Sequence, residues 1–105
     1  MNELPFHNGD LQRFAQIFKA LGDETRQKIL LLLREQPMSV NHIVGHFALA
    51  QPTISRHLAV LRQAQLVTAV RSRQRIIYHL APAALGHLCD TFFSVFCTKE
   101  SKKGS

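Results

Sequence analysis

Hydrophobic residues recur at helical spacing in two segments of the first forty residues. The first, "DLQRFAQIFKALG", begins at Asp10, repeats an apolar residue every three or four positions and reaches Gly22. The second, "ETRQKILLLLREQ", follows Asp23, is apolar nearly all round at "ILLLL" and stops before Pro37. We predict an amphipathic helix capped by Asp10, followed by a central core helix capped by Asp23.

Two further helices are predicted after a short break. "VNHIVGHFA" follows Ser39 and has one apolar face, and a brief turn over residues 48–50 leads into "QPTISRHLAVLRQAQLV". In this fourth helix Ile54, Leu58 and Leu61 have the i, i+4, i+7 spacing of one helix face. Polar side chains crowd beside that stripe. Since any surface helix is polar on its outer side, the stretch alone is compatible with an ordinary surface helix or with a binding helix.

From Leu66 the pattern changes to partial alternation. "LVTAVRSR" and "QRIIYHL" are rich in β-branched residues and predict two strands around a turn at 72–74. After Pro82, "AALGHLCDTFFSVFC" predicts one last amphipathic helix. We therefore predict a mainly α-helical domain over residues 1–97, with four helices, a β-hairpin and a last helix, and a polar, disordered tail over 98–105.

This order of elements is that of a winged helix-turn-helix. A short helix, a turn and an amphipathic helix place the second helix in the major groove of DNA, and the hairpin forms the wing beside it. Arg56 has the geometry to pair with guanine, and Gln51 with adenine. The residues predicted to contact DNA are Gln51, Thr53, Ser55, Arg56 and His57 in the fourth helix, and Arg71, Arg73 and Arg75 around the wing turn.

Composition supports an acidic partner. Thirteen Lys and Arg residues against seven Asp and Glu give a net charge of +6, which favours DNA, RNA or an anionic membrane surface. RNA or membrane binding would use the same charge, but would not require basic residues concentrated at a recognition helix and a wing. We therefore predict double-stranded DNA as the partner and no membrane partner.

Other features of the chain exclude several classes of protein. No hydrophobic run is long enough to span a bilayer, and "MNELPFHNGD" is too polar for a signal peptide, so we expect a cytoplasmic protein. No Ser-His-Asp order, glycine-rich phosphate loop or carboxylate pair stands out, so an enzyme is not expected.

Three blocks of the sequence, "KALGDETRQKILLLL", "QPTISRHLAVLRQAQLV" and "RQRIIYHL", resemble the ArsR/SmtB family of winged-helix bacterial repressors over about residues 19 to 80. The resemblance implies a homodimer formed by the first and last helices, consistent with the Phe-rich faces of both. It also implies repression through an imperfect palindrome, relieved when an effector binds. The interface residues expected on this basis are Leu11, Phe14, Phe18, Leu85, Leu88, Phe92, Phe93 and Phe96.

Two positions depart from the usual family pattern around the helix-turn-helix. Ala48 stands where the family usually has Gly in the turn, and Ala50 where it has Ser before the recognition helix. A lost Ser cap costs about 1 kcal/mol, and a left-handed Ala somewhat less. Both costs are tolerable in a packed domain.

The metal-ligand patterns of the family are also absent. Thiophilic-metal sensors often carry Cys-x-Cys at the start of the third helix, where this chain has Ser39 and Asn41. Zinc and nickel sensors place Asp and His early in the last helix, where this chain has Pro82 and Ala84. The later positions, where those sensors have His and Glu, correspond to about Val95 and Thr98 in this chain. We therefore predict no metal and no cofactor at these sites.

Two histidine pairs remain as weaker candidates. His42 and His46 have the i, i+4 spacing that can hold one zinc, but two imidazoles without a third ligand make a weak site, and ordinary surface histidines are favoured. The spacing of His79 and His87 is not specific for any ligand.

Cys89 and Cys97 are the effector candidates, because some family members detect arsenicals or oxidants with cysteines in the last helix. Eight residues of α-helix separate them by ~12 Å of rise and ~80° of rotation, so one atom cannot bridge them unless the helix end unwinds or the dimer pairs them. Core packing in the aromatic interface is favoured. The sequence thus predicts a repressor without the usual metal sites, with control of its own gene as one role. A thiol-based sensor of trivalent arsenicals or oxidants is the alternative.

Overall fold

The computed structural model describes residues 6–97, so residues 1–5 and the predicted tail over 98–105 lie outside the described part. The helices are α1 (Asn8–Leu21), α2 (Glu24–Glu35), α3 (Val40–Val44), α4 (Gln51–Gln63) and α5 (Ala83–Leu88). The strands are β1 (Met38–Ser39), β2 (Val67–Ser72) and β3 (Arg75–Leu80). This architecture confirms the predicted fold class, a winged helix-turn-helix.

The helix starts are set by short side chains that accept backbone hydrogen bonds. Asp23 Oδ2 accepts from the Arg26 backbone N at 3.0 Å at the start of α2, and Ser39 Oγ accepts from the His42 N at 3.2 Å at the start of α3. The predicted cap of α1 was wrong. His7 precedes this helix and Asp10 lies at its third position, where its carboxylate accepts from the His7 N at 3.4 Å.

The sheet is antiparallel with strand order β1-β3-β2. Strand β1 was not predicted, because two residues are too short to show any periodicity. It forms where Met38 pairs with Tyr78 of β3. The wing turn is the two-residue loop of Arg73 and Gln74, one residue shorter than predicted. Arg73 has a φ of 61°, a conformation that glycine usually provides in such hairpins.

The core is built from the inward faces of the helices and the start of β2. Its largest fully buried side chains are Phe14, Ile17, Ile29, Ile43, Ile54, Leu58, Leu61, Leu66, Val67 and Leu88. Helix α2 is less central than predicted, because Leu31 is 56% exposed. In α1 the core face runs through Phe14 and Ile17, while Leu11 and Phe18 are exposed.

The turn of the helix-turn-helix is longer than predicted. Helix α3 ends at Val44, and residues 45–50 connect it to α4. Among residues 6–97 only Gln65 and Arg73 are non-glycine residues with positive φ, so Ala48 carries no left-handed strain and that prediction was wrong. Ala50 precedes α4 without a side-chain cap.

The single last helix of the prediction is interrupted. Helix α5 runs into a π-helical turn over Cys89–Phe93, and the chain is α-helical again over 94–97. We call the whole run 83–97 the last helix. Ser94 Oγ donates to the Asp90 carbonyl oxygen at 2.7 Å and thereby supports the wide turn. The rotation calculated for ideal α-helix between Cys89 and Cys97 therefore does not hold.

Candidate nucleic-acid interface

Helix α4 presents a polar face to solvent opposite its buried face. Ile54, Leu58 and Leu61 are completely buried, so the opposite side of the helix faces solvent. The exposed residues near the start of α4 are Gln51, Pro52, Ser55 and Arg56, and Thr53 is half-buried. The outward face near the start of α4 therefore carries an amide, a hydroxyl and a guanidinium, the groups that read base edges and bind phosphates.

His57 is turned inward and does not share that outward face. Its Nδ1 lies 3.1 Å from Arg26 Nη1 and 3.8 Å from Asp23 Oδ2, and its side chain is only 18% exposed. His57 therefore contacts α2 through Nδ1, and its role as a DNA contact stays a prediction. The local sequence could not reveal this, because Arg26 lies 31 positions earlier in the chain.

Asp23 completes this contact between α2 and α4. The hydrogen bond from the Arg26 backbone N lowers the pKa of the Asp23 carboxyl below its ordinary value of 3.8, against an opposing effect of desolvation. The nearby His57 and the Arg26 guanidinium lower it further. Asp23 is thus a carboxylate at neutral pH.

The wing arginines do not form one cluster. Arg71, Arg73 and Arg75 are all exposed. The register of the hairpin pairs Arg71 with Ile76 and Ser72 with Arg75, so Arg71 and Arg75 project from opposite faces. Arg73 lies at the tip. Their alternate spacing in the sequence does not place them on one face of the hairpin, because the chain reverses at the turn.

A cleft of about 560 Å³ lies between α4 and β3. Its polar lining includes Ser55, Arg56 and Arg62 from α4 and Tyr78 from β3. The sequence analysis did not identify Arg62 or Tyr78. The spacing could have indicated Arg62, because this residue lies seven positions after Ser55 and therefore on the same helix face. Two guanidiniums and hydroxyl groups at one open cleft are suited to holding a phosphate.

Arg75 borders a second cleft, of about 520 Å³, on the other side of the wing. Ser39, Asn41 and His42 from the start of α3 line it together with Ile77 of β3. One face of the wing therefore places Arg75 beside α3, whereas the arginines of the first cleft belong to α4 itself.

The five phenylalanines among the predicted interface residues meet in an aromatic cluster between α1 and the last helix. The ring of Phe92 lies 5.8 Å from Phe14, 5.4 Å from Phe18, 5.4 Å from Phe93 and 5.2 Å from Phe96, measured between ring centroids. These distances are typical of favourable aromatic pairs. The cluster binds α1 to the last helix within one chain.

The predicted interface residues divide into a buried and an exposed set. Phe14 and Leu88 belong to the core of the single chain. Leu85 and Phe92 are half-buried. The exposed ones are Leu11, Phe18, Phe93 and Phe96, and together with the exposed Val95 of the last helix we call them the apolar patch.

The sequence also matches that of known regulators. Residues 23–69 match the family described as "Bacterial regulatory protein, arsR family". The transcriptional repressor SdpR of Bacillus subtilis (strain 168) is 42% identical over 69 residues, which are 66% of this chain and 77% of SdpR. The chain belongs to the arsR family. Proteins of this family are DNA-binding transcriptional regulators and not enzymes, as predicted.

Solved structures of ArsR-like regulators share the fold. An ArsR-like transcriptional regulator from Rhodococcus sp. RHA1 superposes with a TM-score of 0.81 at 26% identity and covers 91% of each chain. The homodimeric winged helix-turn-helix DNA-binding domain of Mb0332 from Mycobacterium bovis has a TM-score of 0.70 at 26% identity, over 90% of this chain and 87% of that one. The wing and the helix-turn-helix of this ArsR-family chain are thus the family's fold.

The candidate effector residues of this ArsR-family chain are exposed. Cys89 and Cys97 both lie at the surface of the single chain. The rings of His42 and His46, also exposed, are 5.6 Å apart between centroids. In the part of the chain that the structure describes, no three or more His, Cys, Asp or Glu side chains group in a way that could hold a metal ion. No helix there has the length and apolar character to cross a membrane.

Proposed function

We propose that this ArsR-family protein is a homodimeric transcriptional repressor that inserts α4 into the major groove of its operator. The observation that carries the proposal is the outward face of α4, where Gln51, Ser55 and Arg56 are exposed opposite a fully buried apolar face. The net charge of +6 and the exposed wing arginines supply attraction to phosphates. SdpR, which is named a transcriptional repressor, supports the direction of regulation.

The dimer is proposed to form through the apolar patch. Phe18 of α1 is 40% exposed and Phe96 of the last helix is 59% exposed, which leaves a large apolar surface uncovered on a single chain. The homodimeric state of the Mb0332 domain supports a homodimer here. A two-fold dimer presents two copies of α4, about 34 Å apart, to an imperfect palindrome. We place the protein in the cytoplasm, where its DNA is.

Selection of bound double-stranded DNA from a random pool tests this function directly. We expect an inverted repeat to be enriched by the wild-type protein, and the enrichment to be lost when Arg56→Ala is used in parallel. RNA of the same length serves as the competitor. Equal retention of random DNA, or stronger retention of the RNA, would contradict operator recognition.

We further propose that the repressor lacks the family's usual metal switches and controls its own gene. Two observations support the first part. Ser39 Oγ accepts the cap hydrogen bond of α3, and Ala84 is a core residue whose methyl side chain has no ligand atom. Zinc, nickel and cobalt are then expected to leave operator binding unchanged, and the promoter of the gene itself is expected to contain the selected repeat.

A thiol sensor is the second candidate function, favoured by the exposure of both cysteines. Cys89 also opens the π-helical turn, so a modification there would act on the segment that carries Phe92 and Phe93. Cysteine thiols are soft ligands for trivalent arsenic and are open to oxidation.

The effector prediction is tested by titrating the protein on its operator with zinc, a trivalent arsenical and peroxide. The control is the Cys89→Ser, Cys97→Ser double variant. Release by the arsenical or by peroxide in the wild type alone would establish the cysteines as the sensor. Release by stoichiometric zinc would overturn the metal-free proposal and direct attention to His42 and His46.

A further inference from the structure

The guanidinium of Arg26 joins three helices. Its Nε donates to the Ala20 carbonyl oxygen at 2.8 Å and its Nη2 to the Lys19 carbonyl oxygen at 3.2 Å, both in the last turn of α1. Its Nη1 lies 3.1 Å from Nδ1 of His57 in α4. Carbonyls in the last turn lack the usual helical partner four residues later, and a cation is favourable there. The Lys19 carbonyl oxygen also accepts from the Gly22 backbone N at 3.2 Å. We call these three contacts the Arg26 clamp.

The contact between Arg26 and His57 has a defined direction. A guanidinium has donors and no acceptor, so Arg26 donates and Nδ1 of the imidazole accepts. The charged groups near the imidazole are Arg26 of α2 and the carboxylate of Asp23, the cap of α2, at 3.8 Å. Helix α1 contributes two backbone carbonyl oxygens, which accept hydrogen bonds from Arg26.

The clamp supplies a directional contact that the core of α4 lacks. Ile54, Leu58 and Leu61 bury α4 against the rest of the domain, but apolar burial is non-directional and tolerates small rotations of a helix. A hydrogen bond to a charged group depends on distance and angle. Since Arg56 neighbours His57 on α4, a small rotation of the helix would move Arg56 relative to the DNA.

We propose that His57 is a positioning residue, whose Nδ1 contact with Arg26 sets the orientation of α4 relative to α1, so that operator recognition requires this contact. This inference rests on the proposed function, because it concerns how the dimer presents α4 to DNA. Helix α1 carries part of the apolar patch, and the clamp therefore connects the dimer contact to the recognition helix.

Two variants of nearly equal size test the contact. His57→Asn keeps an amide oxygen close to the place of Nδ1, whereas His57→Leu has a similar shape and no acceptor. At about pH 8 we expect the Asn variant to bind the selected operator within about 3-fold of the wild type, and the Leu variant to bind it about 10-fold or more weakly. Binding to random DNA of the same length is expected to stay within about 2-fold for both.

The ratio of operator to random-DNA affinity is a readout that packing alone would not change. This ratio is expected to stay near the wild-type value in His57→Asn and to fall in His57→Leu. His46→Asn, at an exposed histidine outside the clamp, is expected to keep the wild-type ratio.

The possible outcomes separate the alternatives. If His57→Asn loses as much operator affinity as His57→Leu while His57→Gln binds normally, Nε2 contacts DNA and the proposal is overturned. Parallel losses on operator and random DNA, accompanied by a lower melting temperature in the Leu variant, would reduce His57 to a packing residue and also overturn it. A wild-type protein without any operator preference would instead refute the proposed function itself.

Discussion

Arg56 and Arg73 are both exposed, yet they are expected to act differently on DNA. Arg56 lies on the outward face of α4, where side chains reach base edges, whereas Arg73 occupies the tip of the wing, where phosphates are in reach. Arg56→Ala should lose ~1 to 3 kcal/mol mainly on the operator. Arg73→Ala should weaken binding to all sequences and reduce the salt dependence by about one unit for each lost phosphate contact.

Binding isotherms on operator and random DNA at several salt concentrations measure both effects. Arg34→Ala is the matched control, because Arg34 is exposed on α2 and paired with the adjacent Glu35. Equal losses on the two DNAs for Arg56→Ala would show that this side chain contacts phosphate.

Asp23 gives the protein an acid-sensitive helix cap. Its pKa is lower in the folded than in the unfolded chain, mainly because its carboxylate accepts a hydrogen bond from the Arg26 backbone N. A lowered folded pKa contributes stability above the unfolded pKa, and that stability is lost as the pH falls through the folded pKa. We expect the free energy of unfolding to decrease more steeply below about pH 4 in the wild type than in Asp23→Asn. Urea unfolding at a series of pH values measures this, and parallel pH curves would contradict it.

At the scale of elements, α1 and the last helix should hold the dimer together. Phe96 is exposed on a single chain, so Phe96→Asp is expected to fold normally. Covered by a second copy, the carboxylate would be buried without a partner, at a cost of about 2 kcal/mol or more, which weakens the dimer roughly 30-fold or more. Sedimentation velocity should show monomers at concentrations where the wild type is dimeric.

Leu31→Asp is the control for that experiment. Leu31 is almost as exposed as Phe96 but lies on α2, outside the apolar patch. The Leu31→Asp variant should remain a dimer. A Phe96→Asp protein that stays a tight dimer, or a Leu31→Asp protein that dissociates, would place the interface elsewhere.

At the scale of the whole molecule, the two copies of α4 must meet the DNA on the same side. Half-sites one helical turn apart satisfy a rigid two-fold dimer. An insertion of about five base pairs turns one half-site to the opposite side of the duplex, so we expect affinity to fall to the level of random DNA. A spacer of changed sequence and unchanged length is the control. Unchanged affinity after the insertion would show that each half-site is bound independently.

Local patterns in the sequence determined the order of elements and the face of α4. The spacing of Ile54, Leu58 and Leu61 predicts the buried side of that helix, because a helix repeats every 3.6 residues regardless of its surroundings. Asp23 and Ser39 were predicted as the residues that open α2 and α3, since a cap bonds to a backbone group only three residues away. Helix periodicity and helix capping both depend on residues close in sequence, so both can be predicted without the tertiary structure.

Tertiary contacts decided the features that depend on distant partners. The inward direction of His57 requires Arg26 from another helix, and β1 exists because Met38 meets Tyr78 across the sheet. The separation of Arg71 and Arg75 onto opposite faces follows from the register of the hairpin. The sequence determined which residues are apolar and which are polar, but the partner of each polar side chain became defined only when the helices packed, because a hydrogen bond depends on distance in space and not along the chain.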